Sequence, residues 1–201
     1  MARIPHLLLA AGMAPLLASC ASAPAYYSPV EVTRFVAPTP GSVPKGPIGV
    51  RPAPGEDAAA DRDYAVFQSA IAEQLGQSGF QVAGDAAPYV ALISVERWVQ
   101  EGEQRRGPVS VGGGASTGTF GSGVGLGIGI DLSGPEPERT ETELSVSIRP
   151  AAGGAALWEG RARFTASANS DFAATQAAAA RMSEALFRGF PGNSGETIEV
   201  E

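Results

Sequence analysis

Two neighbouring stretches alternate strictly between apolar and polar residues, and this periodicity constrains the fold more than any other feature of the chain. In TELSVSIRP (142–150), Leu144, Val146 and Ile148 fall on one side and Glu143, Ser145, Ser147 and Arg149 on the other. LWEGRARF (157–164) repeats the pattern, with Trp158, Gly160, Ala162 and Phe164 set against Glu159, Arg161 and Arg163. Successive side chains of a strand point to opposite faces, so these are two strands with one buried and one wetted face. PAAGGAA between them predicts a hairpin loop and hence antiparallel pairing.

The remaining elements are read outward from that pair. VEVTRFV (30–36) and GPIGVRP (46–52) are short β-rich runs separated by Pro38, Pro40 and Pro44. Tyr64, Phe67, Ile71 and Leu75 form a helical stripe behind Asp61, Arg62 and Asp63, with Gly79 as the stop. Asp57, Asp61 and Asp63 lack the glycine and distal glutamate of a calcium loop, and read as cap and first-turn residues. YVALISVERWV (89–99) is apolar on both faces in its first half, as a covered inner strand is. A second helix is predicted from near Ser170 and Asp171, burying Phe172, Ala179, Met182 and Leu186 and ending at Gly189. TIEV supplies a last short strand. The fold class is α+β: a mostly antiparallel sheet of about five to seven strands with two helices packed on one face, plus a Gly-rich β-hairpin insert near 107–134. Residues 30–201 are expected to form a single domain.

The insert contains GSGVGLGIGID (121–131), with glycine at every second position from Gly121 to Gly129. Phosphate loops need a lysine or a following helix, and here no lysine follows Lys45 and Asp131 leads into prolines. Period two is instead the repeat of a strand, with RGPVSVGGGAS (106–116) as hairpin partner and TGTF at the turn. Val124, Leu126, Ile128 and Ile130 then form an aliphatic row, a candidate interaction face, while the glycines leave the other side flat. Each glycine costs a strand about 0.5–1 kcal/mol relative to alanine, so something must lie against that side. Three occupants stay open: an internal aromatic such as Trp98 or Phe120, an envelope partner or the membrane surface, and the wall of an oligomeric secretion-type pore. The third is the poorest fit, because 109–117 lacks the sustained apolar alternation of a lipid-facing hairpin.

The first twenty residues read as an export signal: Arg3, an apolar run from Leu7 to Leu17, then small residues. That run spans about 16 Å as a helix, against a hydrocarbon core of roughly 30 Å, which argues against a permanent span. Leu17, Ala18, Ser19 and Cys20 resemble the lipobox of bacterial lipoproteins, which implies a diacylglycerol on the Cys20 sulfur and Cys20 as first mature residue. The alternative is cleavage after Ala21-Ser22-Ala23, which would discard Cys20. Cys20 is the only cysteine, so no internal disulfide competes for it. Ala21 in place of an aspartate resembles the default for sorting to the outer membrane. Residues 21–29, ASAPAYYSP, are expected to be a tether.

Function classes are narrowed by charge and by missing chemistry. Fourteen Lys and Arg against 21 Asp and Glu give a net charge of −7, without the basic patch that nucleic-acid binding needs. The only histidine, His6, leaves with the signal, so no histidine-based triad or histidine-ligated metal site is expected in the mature chain. No catalytic residue, metal or cofactor is expected beyond the lipid on Cys20, and the partners expected are the membrane and an envelope protein. A carboxylate-dependent envelope hydrolase stays as the alternative.

The lipobox, VTRF, GPIGVRP, QSGFQV, PYVALISVERW, the RGPVSVGGG to GVGLGIG insert, TELSVSIRP, ALWEGRARF and LFRGFPGNSGETIEV together resemble the domain-of-unknown-function 4136 family of bacterial lipoproteins. The resemblance implies a lipid-anchored envelope module with an α+β fold. It implies no catalytic residues.

Overall fold

The computed structural model describes residues 23–38, 43–56, 62–84, 86–102 and 136–201, and the backbone alone of 109–118 and 121–130. Cys20 with Leu17, Ala18 and Ser19, and also Asp57, Asp61 and Phe120, lie outside the described residues. The chain divides into two compact units, one of which carries the 107–134 insert, and each is described by itself.

The larger unit is a seven-stranded mixed sheet with two helices. Its strands are β1 (Val30–Val36), β2 (Pro47–Pro52), β3 (Gln81–Val82), β4 (Tyr89–Gln100), β7 (Arg139–Pro150), β8 (Trp158–Ser167) and β9 (Glu196–Val200), in spatial order β3-β2-β4-β7-β8-β1-β9. From β4 to β9 every pairing is antiparallel, whereas β2 runs parallel to both β3 and β4. β4 and β7 stay in register over their whole length, from Tyr89 opposite Pro150 to Gln100 opposite Arg139.

Helices α1 (Arg62–Gln77) and α2 (Thr175–Phe187) cover one face of this sheet. The stripe Tyr64, Phe67, Ile71 and Leu75 is buried, each such side chain contributing about 1.5–3 kcal/mol. α1 unwinds into Gly79, whose φ of 92° only glycine adopts without strain. Arg97 of β4 donates to Asp63 in the first turn of α1 and, at 2.9 Å, to Thr175 at the start of α2. Phe80 and Phe190, each just beyond a helix, meet edge to face at the other end. The helices therefore lie side by side in the same sense.

α2 begins later than the sequence suggests. Residues 168–174 form turns closed by Ser170 N–H to Ser167 O and Ala173 N–H to Ser170 O, so Phe172 packs on Phe164 from a loop. β7 reaches back to Arg139, into a segment that composition marks as a solvated loop, and Thr142 is buried there because it shares the inner face with Leu144.

The inner face of β1 carries Val30, Val32 and, unusually, Arg34, which is 3 % exposed. The Arg34 guanidinium donates to Ala185 O at 3.1 Å, a second hydrogen bond to a carbonyl in the last turn of α2 that also accepts the Arg188 N–H at 3.3 Å. Burial pushes its pKa down, and the charge of Glu196 works the other way.

Tyr64 gives a pH prediction. Burial, then the charge of Glu56, pushes its phenol up to about 12, and its hydroxyl finds no partner among the described residues. A folded pKa above the ordinary value of about 10 means that stability is intact below pH ~10 and falls by roughly 2–3 kcal/mol as pH rises through about 12. Tyr64→Phe is expected to flatten that decline and to add about 1 kcal/mol at neutral pH. Urea unfolding at about pH 8 and pH 11.5 checks both, and an equally steep alkaline loss in the variant excludes Tyr64 as its source.

The smaller unit is a two-stranded antiparallel sheet of β5 (Val109–Gly118) and β6 (Gly121–Ile130). Its register sets Val124, Leu126, Ile128 and Ile130 opposite Ala115, Gly113, Val111 and Val109. Gly121, Gly125 and Gly127 stand opposite Gly118, Gly114 and Gly112, whereas Gly123 and Gly129 stand opposite Ser116 and Ser110.

Candidate binding face

The helices cover one face of the seven-stranded sheet, and strand alternation decides what the other presents. On β7 it places Glu143, Ser145, Ser147 and Arg149 outward, and on β8 Glu159, Arg161 and Arg163. Cross-strand register aligns these into rows. Glu31, Arg163 and Glu143 form one, Thr33, Arg161 and Ser145 the next, and Phe35, Glu159 and Ser147 a third.

Together with Leu92 and Ser94 of β4 and the Ala53–Pro54 loop, these rows, apart from Glu143 beneath its two arginines, line an open groove of about 430 Å³. Its base is small, with serines in the middle strand, and its rims are ionic. Glu143 is gripped from both sides, by Arg161 Nε at 2.9 Å and Arg163 Nε at 2.7 Å. Arg149 faces Glu159 at 3.8 Å and donates to Ser147 Oγ at 2.9 Å. Thr33 and Thr197 share a hydrogen bond of 2.9 Å, and Ser94 Oγ donates to Glu56 at 2.5 Å.

Glu143 is less exposed than its outward position suggests. Its side chain is 15 % exposed because the two arginine stems close over it, whereas those arginines remain 58 % and 51 % exposed. The hydrogen bond and charge of Glu143 push the Arg163 pKa up. With the cations so open to solvent, each pair adds at most about 1 kcal/mol to stability. The arrangement therefore orders the groove surface more than it stabilises the fold.

Chemically, the groove offers guanidinium donors, hydroxyls and carboxylate acceptors on a rigid sheet, with Phe35 as an apolar edge that is 54 % exposed. Among the described residues no cluster of three His, Cys, Asp or Glu could hold a metal. No helix among them is long and apolar enough to cross a membrane. The predicted aliphatic row of Val124, Leu126, Ile128 and Ile130 is in β6, in the other unit, and its side chains are outside what the structure describes. Glu31, Thr33 and Phe35 were not singled out from the sequence, although the alternation of β1 already places them opposite Val30, Val32 and Arg34.

This is an α+β domain of the one-sided kind, a mixed sheet with both helices on one face and a polar groove on the other. The chain belongs to the DUF4136 family, a domain of unknown function, whose model matches residues 44–192. No curated protein matches the chain. Among solved structures it is similar to the PelC dodecamer of Paraburkholderia phytofirmans, at 14% identity and a TM-score of 0.42, over 82% of this chain and 99% of that one. It is also similar to a PDZ domain protein of Parabacteroides distasonis, at 11% identity and a TM-score of 0.47, over 87% of this chain and 38% of that one.

Proposed function

We propose that the protein is an outer-membrane lipoprotein, anchored through Cys20 and facing the periplasm, that acts as a binding or bracing module of the envelope through the helix-free face of its sheet. The observation that carries this reading is the groove itself: a concave, ordered surface with ionic rims and an apolar part on rigid strands, which suits a partner that offers both hydrogen-bonding groups and apolar surface. A hydrolase working with two carboxylates would need them facing one another across the substrate. Here Glu143 and Glu159 each face arginine instead, which favours binding over turnover.

Two experiments test the two halves. Cys20→Ala is expected to move the protein from the membrane to the soluble periplasmic fraction, because the acyl chains are its only anchor in this reading. Continued membrane association of that variant would sink the anchor. A photoreactive amino acid at Ser145, in the floor of the groove, is expected to give one discrete protein adduct in intact cells. Absence of any intermolecular adduct there would refute the binding face.

A further inference from the structure

Residues 23–29 are not free chain. Tyr26, Tyr27 and Ser28 run along β8: Ser28 N–H donates to Thr165 O at 2.9 Å, Ser167 N–H to Tyr26 O at 2.8 Å, and Tyr27 bridges Ala166. Asn169 Nδ2 donates to Ala23 O at 2.7 Å, and Tyr26 N–H to Ser167 Oγ at 2.8 Å. The expected tether of 21–29 is thus held against the sheet from Ala23 onward, and three residue steps from Cys20 to Ala23 reach about 10 Å at most. Whatever holds Cys20 holds one end of the sheet.

That end has a distinct surface. Large side chains left exposed in the described structure include Tyr26 (43%), Tyr27 (49%), Trp98 (45%) and Val99 (64%), and all four are at this pole. Register brings them together: Trp98 lies opposite Glu141, which lies opposite Thr165, the partner of Ser28. Val99 is likewise opposite Thr140, which is opposite Ala166, the partner of Tyr27. Three strand spacings separate the tyrosines from Trp98 and Val99, so the pairs bracket the pole about 14 Å apart. Arg139 lies over the Tyr26 ring at 4.6 Å and Arg181 over Tyr27 at 5.2 Å, so each ring carries a cation on one face and is held in place while it stays partly exposed.

We infer that this pole rests on the lipid headgroups, with Tyr26, Tyr27 and Trp98 in the interfacial layer. Aromatic side chains with a polar end favour that layer. The inference rests on the proposed Cys20 anchor, and it adds an orientation that the anchor alone does not require. The surface it fits is zwitterionic: Arg97 and Arg139 already pair with Asp63 and Glu136, and Glu96, Glu138 and Glu141 outnumber Arg181 there. The strands then stand upright on the bilayer, and the polar groove opens sideways above it.

The full chain, expressed in a Gram-negative host and reconstituted into phosphatidylethanolamine–phosphatidylcholine vesicles, tests this. Flotation reports the anchor, and a headgroup nitroxide lipid reports the pole. Trp158, buried at the other end about 23 Å along the strands, serves as internal control. The headgroup label is expected to remove about half of the emission that Trp98→Phe abolishes, in keeping with an interfacial indole. It should leave the Trp98→Phe/Phe35→Trp variant, with its reporter at the far pole, nearly unquenched. Hydrogen exchange of the unmodified protein is the variant-free check: amides of 26–28 and 98–100 gain protection on vesicles and those of 151–156 do not. Protein that floats with Trp98 unquenched overturns the orientation and leaves the anchor standing. Protein that does not float overturns both.

Discussion

Trp158→Ala is expected to lower the unfolding free energy by about 4 kcal/mol, the middle of the range for truncating a buried aromatic. The indole is fully buried, with Phe187 at 5.3 Å and Phe190 at 5.1 Å between ring centres. Its Nε1–H donates to Pro191 O at 2.9 Å. Truncation would open a cavity under α2 and remove that hydrogen bond, with the cavity as the larger cost because Pro191 is exposed and its carbonyl can turn to water. The same ring holds the chain ending in place, since Phe190 and Pro191 begin the FPGNSG turn whose Gly195 N–H returns to Arg34 O at 2.7 Å. Urea denaturation followed by circular dichroism measures the effect, and a loss under about 1 kcal/mol would show that the site collapses around the missing ring.

Gly160→Ala is expected to cost about 2 kcal/mol, although alanine is otherwise the better strand residue. A Cβ there would fall inside the envelope of Trp158 Cη2 and 2.8 Å from Leu186 Cδ1. Neither can retreat, because Leu186 is fully buried and the indole is hemmed by two phenylalanines. The clash has a named partner, so it should couple. In a Trp158→Leu background the added methyl should cost under about 1 kcal/mol, and a double-mutant cycle reads the difference. Strict additivity would place the strain on Leu186 instead.

Much of this architecture is legible in the sequence where the pattern is local. The alternation of 142–150 and 157–164 yields β7, β8, their antiparallel pairing and the outward ionic rows. The stripe from Tyr64 to Leu75 yields α1 and its buried side. What depends on contacts distant in sequence is less visible. Nothing in GPIGVRP says that β2 will run parallel beside β4, because parallel pairing is set by the crossover of α1 rather than by the strand itself. Arg34 was open to prediction from the period of β1, but charge overrides pattern when a strand is read alone; its place is secured by the end of α2, far along the chain. ASAPAYYSP lacks apolar periodicity and so resembles linker, yet its Tyr26 and Ser28 are held by backbone hydrogen bonds to β8, which leave no trace in side-chain patterning. The groove was half legible: each outward residue follows from alternation, whereas their alignment into rows follows from register.

The unbroken ladder between β4 and β7 has one more consequence, which concerns what the fold can carry. Roughly forty residues separate Gln100 from Arg139, yet those two are direct partners. By loop-closure entropy each doubling of a connection costs only about 0.6 kcal/mol, so this excursion costs roughly 2 kcal/mol more than a four-residue turn. Twelve-residue strands paired along their full length make up that sum many times over and fix their own register without help from the turn. The segment between them is therefore free to lengthen, shorten or change its sequence while the sheet stays in step, and the pole from which it leaves is a socket into which different pendants can be fitted.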